Sequence, residues 1–353
     1  MELKNIRKEI DEIDSRLMNL LNERAKKVLK IAKIKEKEGK NPYSPGREKR
    51  ILKKAIEENK GPLPAETLKE VFQLILKTSL SLEKELRIVY LGPEATFTHL
   101  AALKTFGERT ELIPLKSINT IFTEVEKKKA DYGVVPVENS TEGVITHTLD
   151  MFVDSDLKIC AEVILEITHY LMGRGSIKGV KKVYSHPQAF AQCQGWLEEN
   201  LPEAKLIETE STAQAACAAA KETGSAAIAS EIAASLYKLK ILASRIEDNP
   251  NNYTRFFVIG REYTEKSGED KTSIIFSIKD RVGALYNMLS PFEKYKINLT
   301  KIESRPTKKK PWEYIFFVDF IGHKDEERVK KALLELEKEC LFLKILGSYP
   351  LEK

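Results

Sequence analysis

Arg87-Ile88-Val89-Tyr90-Leu91-Gly92 (RIVYLG, residues 87–92) is where the chain changes its period. Before it, apolar residues recur at three- and four-residue steps; after it, short apolar runs alternate with helical stretches. The first spacing marks amphipathic helix, and a short apolar run bounded by turn residues marks a buried strand. Residue 87 therefore divides an all-helical block from an α/β one. Toward the C-terminus the runs ELIPL, YGVVPV, KICAEVILEI, KVYS, AKLIET, SAAIAS and RFFVIG read as further strands, with helices expected at 96–106, 117–128, 187–199 and 211–223. Carried to about residue 262, this alternation predicts a mainly parallel α/β domain. Its length fits two lobes with a crevice between them, where α/β ligands collect.

Beyond it, REYTEKSGEDK (261–271) is polar and reads as a linker. A new pattern follows: strand 272–278, helix 282–294, strands 297–304 and 312–320, helix 324–338 and strand 341–348. That βαββαβ order is ferredoxin-like. The domains expected are thus 1–86, 87–262 and 272–350, in keeping with a 353-residue chain, since one core usually stops growing before about 250–300 residues.

Working outward toward the N-terminus, Leu3, Ile6, Ile10, Ile13, Leu17, Leu20, Val28 and Ile31 form one stripe of a helix that runs to about Glu38, ended by Gly39 and Asn41-Pro42. At 1.5 Å per residue it is roughly 50 Å long. Two shorter helices, near 46–59 and 64–86, cannot cover it, so each long helix is expected to lie against its twin in a dimer. Arg24 and Lys35 interrupt the stripe. Such cations either snorkel to the edge or line a buried anion pocket. Ser79 and Glu83 share the face of Phe72, Ile75 and Leu76 and add polar groups to that interior.

Charge and composition narrow the function. Residues 1–86 hold 21 Lys+Arg against 15 Asp+Glu, and the remainder 37 against 38. The cations are spread along helical patterns rather than packed in one block, which argues for solvated faces and against nucleic acid. No apolar run reaches 18 residues, so no membrane span is expected. The four cysteines form no CxxC pair and the five histidines no ligand spacing, so no metal is expected. With no signal peptide, the chain reads as cytoplasmic with reduced thiols.

The helical block resembles the all-helical chorismate mutases. Ile6-Arg7, Glu23-Arg24, Lys35, Arg47-Glu48 and FQLILKTS (72–79), with Glu83 four residues on, carry the likeness. The resemblance implies an intertwined dimer, with Arg7 crossing to the partner's site while Arg24, Lys35, Arg47, Glu48, Ser79 and Glu83 line the resident one. Chorismate carries two carboxylates, and its Claisen rearrangement needs a held conformer and charge stabilisation at the breaking ether oxygen. Arginines suit the carboxylates; Lys35 and Glu83 would donate to the ether oxygen, and Glu48 would accept from the ring hydroxyl. Glu83 stands where many relatives have Gln, and only a protonated carboxyl donates. Ser44, where relatives often have Asp, is left outside the set.

The central block resembles prephenate dehydratase through GPEATFTHLAA (92–102), VPVENSTEGVI (135–145), SHPQAFAQC (185–193), ESTAQAA (210–216) and NYTRFFVIG (252–260). Each alone could be an ordinary turn or cap; five in order are specific. The fold implied is two-lobed, like that of periplasmic binding proteins. Prephenate loses carbon dioxide and its ring hydroxide together, and the Thr matching Thr254 is assigned to the leaving hydroxide, as a hydrogen-bond donor rather than a titrating acid. Glu138, Asn139, Ser140, Thr141, Ser211, Thr212 and Phe256 are the implied pocket, with Thr96 and His99 nearby and His186 structural. Arg255 either holds a substrate carboxylate or makes a structural ion pair. Ala95 replaces a usual Gly, which suggests a changed turn.

The last block resembles a phenylalanine-binding ACT domain, through Gly283-Ala284-Leu285 and Glu303-Ser304-Arg305-Pro306. A glycine at a helix N-terminus lets backbone amides approach a carboxylate, and the ESRP segment would close over the ligand. Such domains pair side by side. The whole implies an enzyme of phenylalanine biosynthesis without cofactor, a homodimer or homotetramer, converting chorismate through prephenate to phenylpyruvate under inhibition by L-phenylalanine. Two alternatives stand beside it: a sensor with dead sites, and an enzyme acting on arogenate.

Overall fold

The computed structural model describes residues 1–278, 281–306 and 314–352. The first two residues of the strand expected at 312–320 lie outside them.

The apolar stripe folds as one helix, α1 (Glu2–Glu38), stopped by Gly39 in the left-handed conformation. Helix α3 (Ala65–Glu83) packs back along the C-terminal part of α1, and α2 (Pro45–Glu57) packs on α3. Residues 1–23 are all exposed, so Leu3, Ile6, Ile10, Ile13, Leu17 and Leu20 present an uncovered apolar face.

The central block has two lobes. The first contains β1 (Arg87–Leu91), α4 (Phe97–Phe106), β2 (Glu111–Leu115), α5 (Ile118–Glu126), β3 (Tyr132–Asn139), β4 (Gly143–Val144), α6 (Thr146–Asp154) and β5 (Lys158–Glu166). The second contains β6 (Tyr170–Gly173), β7 (Lys182–Ser185), α7 (Pro187–Gln192), α8 (Gln194–Asn200), β8 (Lys205–Glu208), α9 (Thr212–Ala219), β9 (Ser225–Ala229), α10 (Glu231–Leu236) and β10 (Lys240–Ser244). The chain then returns to the first lobe as β11 (Tyr253–Gly260). Strand orders are β2-β1-β3-β11-β5, with β4 on β3, and β10-β6-β9-β7-β8.

The sheets are mixed, which corrects the expectation of a mainly parallel domain. The helical crossovers make β1, β2 and β3 parallel, and β7, β8 and β9 likewise. The strands that lead out of and into the hinge are antiparallel to their neighbours: β11 runs against β3 and β5, and β6 against β9 and β10. Two segments, 167–169 and 245–252, connect the lobes and bond to each other, Ile167 N to Asn252 O at 2.7 Å and Ile246 N to His169 O at 3.0 Å.

The C-terminal block is β12 (Asp270–Ile278), α11 (Ala284–Lys294), β13 (Leu299–Pro306), β14 (Tyr314–Ile321), α12 (Glu327–Glu339) and β15 (Cys340–Pro350), with sheet order β13-β14-β12-β15. Asp270 and Lys271, expected in the linker, already belong to β12 and are buried. One sheet face packs Ile274, Phe276, Val318 and Phe320 under the two helices. The other adds Ile275, Phe317, Leu346 and Tyr349 to the core of the first lobe. Alternate residues of each strand thus serve two different cores.

Candidate active sites

In the helical block, Arg24 donates through Nη1 to Ser79 Oγ, and Lys35 Nζ reaches Glu83 Oε2 at 2.8 Å and Pro42 O at 2.7 Å. Arg24, Lys35, Ser79 and Glu83 therefore meet between α1 and α3. The two interrupting cations of the stripe point inward. Burial lowers the pKa of Arg24, the neighbouring Arg47 lowers it further, and Glu83 opposes them. Two arginines held close with one carboxylate between cations form a pocket short of negative charge, suited to a dianion. Arg47 is exposed and Glu48 half-buried, both on the first turn of α2. Desolvation pushes the Glu48 carboxyl up to about 7, with Lys77 opposing. Arg7 lies on the exposed part of α1, outside this cluster.

In the central block, Thr254 opens β11 and pairs in register with Asn139, the last residue of β3. Asn139 Nδ2 donates to Thr254 Oγ1 at 2.8 Å and to Asn252 Oδ1 at 2.7 Å, with Tyr253 O at 3.3 Å. Asn139 Oδ1 accepts from Thr141 N and Glu142 N, both at 3.0 Å. Ser140 is stitched to β11 through Tyr253 N at 2.9 Å and Asn251 O at 3.2 Å. The ENST turn and the TRF strand thus form one rigid corner. Ser211 caps α9 in the second lobe by accepting from Gln214 N, beside Thr212.

The GPEATF turn also bends toward the second lobe. Ala95 takes φ +64° and is fully buried, with its carbonyl accepting from Ser230 Oγ at 2.7 Å and its N–H donating to His99 Nδ1 at 3.0 Å. This left-handed conformation is one that glycine adopts freely, and alanine holds it at a cost of about 1–2 kcal/mol. Thr96 caps α4 and His186 caps α7.

Three residues expected in the pocket have other surroundings: Glu138 and Arg255 stand one place from Asn139 and Thr254 and so on the opposite face, and Phe256, two places from Thr254, lies further into the lobe. Phe256 is buried in the first-lobe core with Tyr90 and Tyr132. Glu138 turns toward the C-terminal block and accepts from Lys301 Nζ at 2.5 Å. Arg255 does the same: Nε donates to Glu162 at 2.8 Å, Nη1 to Asp319 at 2.6 Å and Nη2 to Tyr349 Oη at 2.9 Å. Lys271 adds contacts of 2.8 Å to both Glu162 oxygens. Burial alone would lower the Arg255 pKa; Tyr349, Asp319 and Glu162 raise it instead. Of the two readings open for Arg255, the geometry supports the structural pair. Three polar residues not singled out in the sequence join this corner by hydrogen bonds: Asn252 and Gln192, which lie within the quoted NYTRFFVIG and SHPQAFAQC, and His169, which lies in no motif.

In the C-terminal block, Gly283 stands at the N-terminus of α11 with φ +74°, before Ala284 and Leu285. Along β13 the ESRP residues split. Glu303 and Arg305 share a face with Lys301, and Arg305 pairs with Asp150 of the first lobe at 3.2 Å; Ser304 and Pro306 are exposed on the other. The four side chains of the motif are thus divided between the two faces of β13. Among the described residues there is no cluster of metal-ligating side chains and no helix long and apolar enough to cross a membrane.

Family models match three successive stretches: chorismate mutase type II over residues 6–84, prephenate dehydratase over 88–264 and the ACT domain over 272–338. The chain belongs to the family of bifunctional chorismate mutase/prephenate dehydratases. It is 52% identical to such an enzyme of Aquifex aeolicus, covering 99% of this chain and 98% of the relative, and 44% identical to that of Pseudomonas aeruginosa, with the same coverage. Among solved structures it resembles prephenate dehydratase from Arthrobacter aurescens in complex with L-Phe (TM-score 0.70, 35% identity, 75% of this chain and 89% of that one). It also resembles the Staphylococcus aureus prephenate dehydratase (TM-score 0.67, 30% identity, 75% and 100%). It is an enzyme with chorismate mutase and prephenate dehydratase activities.

Proposed function

We propose that this enzyme runs two consecutive steps of phenylalanine biosynthesis in the cytoplasm, chorismate to prephenate and prephenate to phenylpyruvate, and that L-phenylalanine bound at its ACT domain inhibits the second. The observation that carries the dehydratase reading is the Asn139–Thr254 bond. Asn139 gives its N–H to Thr254 Oγ1, so the threonine's own proton is left to donate to the departing ring hydroxide. Carbon dioxide leaves without the C–C bonding pair, which stays in the ring to aromatise it and expels hydroxide with the C–O pair, helped by that hydrogen bond. Ser140, Thr141, Ser211 and Thr212 are the proposed substrate contacts. In the mutase, Arg24 and Arg47, with Arg7 of a second copy, hold the carboxylates, Ser79 orients Arg24, and Lys35 and Glu83 face the ether oxygen.

Incubating the purified chain with chorismate is expected to yield phenylpyruvate, with less formed when phenylalanine is present. Accumulation of prephenate alone would sink the dehydratase reading, and faster turnover of arogenate than of prephenate would change the substrate.

Glu83→Gln keeps an acceptor for Lys35 and adds a permanent donor toward the ether oxygen, so its mutase turnover should be at least that of the parent enzyme. The mutase rate should rise near pH 7, where Glu48 ionises to accept from the ring hydroxyl. A loss of tenfold or more in Glu83→Gln would remove Glu83 from the donor role.

The uncovered stripe of α1 supports a dimer, or a tetramer built from dimers. Leu17→Glu should separate the paired α1 helices, lowering the assembly state seen by sedimentation, and should keep dehydratase turnover while losing the mutase, whose Arg7 comes from the partner. A variant of lowered assembly state that keeps its mutase would contradict this.

A further inference from the structure

Thr254 is a donor only because its oxygen is already occupied, and the direction of that bond is set elsewhere. The backbone N–H groups of Thr141 and Glu142 can only donate, so the Asn139 atom facing them is the oxygen and its NH₂ must face Thr254 and Asn252. Asn252 therefore presents Oδ1 to Asn139, and its Nδ2 donates to Gln192 Oε1 at 3.1 Å. Gln192 Oε1 in turn lies 2.8 Å from His169 Nε2, which must donate to it. This fixes the tautomer: Nε2 carries the proton and Nδ1 is bare. His169 Nδ1 is indeed buried without a partner among the described residues, burial lowers the ring's pKa, and Phe97 meets its ring edge-on at 5.9 Å. His169 and Asn252 lie on the two hinge segments, Gln192 on the second lobe, and Asn139 and Thr254 on the first.

We propose that His169 is a positioning residue of the dehydratase: its Nε2–H closes a one-directional chain, His169–Gln192–Asn252–Asn139–Thr254, that spans the hinge and keeps the Thr254 proton free for the substrate. The inference rests on the dehydratase reading above. Without His169, Gln192 is free to turn its NH₂ toward Asn252, whose amide then turns and sets its own NH₂ against that of Asn139, pushing the Asn139 donor off Thr254 Oγ1.

His169→Ala is expected to lower dehydratase kcat about tenfold, the worth of one ordinary hydrogen bond expressed in the transition state. The KM for prephenate should stay within about twofold, because the chain touches the leaving group rather than the carboxylates. His169→Gln, which can place an N–H near the Nε2 position, should recover most of the loss. Asn252→Asp accepts from Asn139 but cannot donate to Gln192, so it should fall similarly and not add to His169→Ala. Mutase rates in the same samples report folding. An unchanged kcat in His169→Ala with Thr254→Ala inactive would overturn the chain alone. Full activity in Thr254→Ala would overturn the dehydratase reading itself. Equal loss in His169→Gln and His169→Ala, with KM raised alongside, would mean that His169 only packs the hinge.

Discussion

Thr254→Ala is expected to cut dehydratase kcat by about a hundred- to a thousandfold, the usual loss when one transition-state donor is removed. Prephenate KM should change little, since the hydroxyl faces the departing group and not the carboxylates. Thr254→Ser should stay within about tenfold, because it keeps the donor and loses only a methyl that fixes the rotamer. The mutase, built from α1 to α3, should be unaffected in both variants. Loss of both activities in Thr254→Ala would show that the two sites are not independent; a fully active Thr254→Ala would move the leaving-group role to another residue.

The second large effect concerns stability. Arg255 is nearly buried and serves Glu162, Asp319 and Tyr349 at once, while Glu162 is completely enclosed and shared with Lys271. Arg255→Met would leave two buried carboxylates short of charge, and removing one partner of such a pair costs about 3–5 kcal/mol. Denaturant unfolding should register that loss, most of it at the contact between the first lobe and the ACT sheet. Asp319→Asn in the Met background should recover part of it by removing one orphaned charge. Arg255→Lys separates the two readings of this residue: a structural fork loses stability because one compact ammonium cannot span the three acceptors that the planar guanidinium reaches, whereas a substrate clamp would lose prephenate affinity with stability unchanged.

Much of the architecture was legible because its signals are local. The stripe from Leu3 to Ile31 gave α1, and Gly39 its end. RIVYLG gave the change to α/β, and the βαββαβ block followed from strand and helix lengths. What was not legible depends on contacts distant in sequence. YLMG in β6 and KILAS in β10 are short runs that become strands only by pairing with each other and with β9. Their antiparallel direction follows from the hinge, which no local pattern announces. Asp270 and Lys271 read as linker by polarity, yet Lys271 is buried because Glu162, more than a hundred residues away, meets it. The sites behaved the same way. Thr254, Asn139, Arg24 and Lys35 stand in motifs, but the face each neighbour takes is a matter of strand alternation. Glu138 and Arg255, written beside Asn139 and Thr254, therefore belong to a different interface. His169 stands outside every quoted motif, and Gln192 is one polar letter of SHPQAFAQC, until the hinge brings them together.

The loop after α1 has a consequence for how this chain can be divided. Tyr43 is buried against Phe106 and Tyr132 of the first lobe, at ring distances of 5.0 and 5.4 Å, and a side chain at Gly46 would collide with the Glu265 carbonyl. Lys53 reaches Glu269 at 2.9 Å. A chain begun at Arg87 would have lost the aromatic wedge that seals this wall, leaving Phe106 and Tyr132 facing solvent. It is expected to unfold at lower denaturant concentration than the full chain, and supplying residues 1–86 as a separate polypeptide should restore it. The two enzymes are spliced through a shared wall, not strung on a tether.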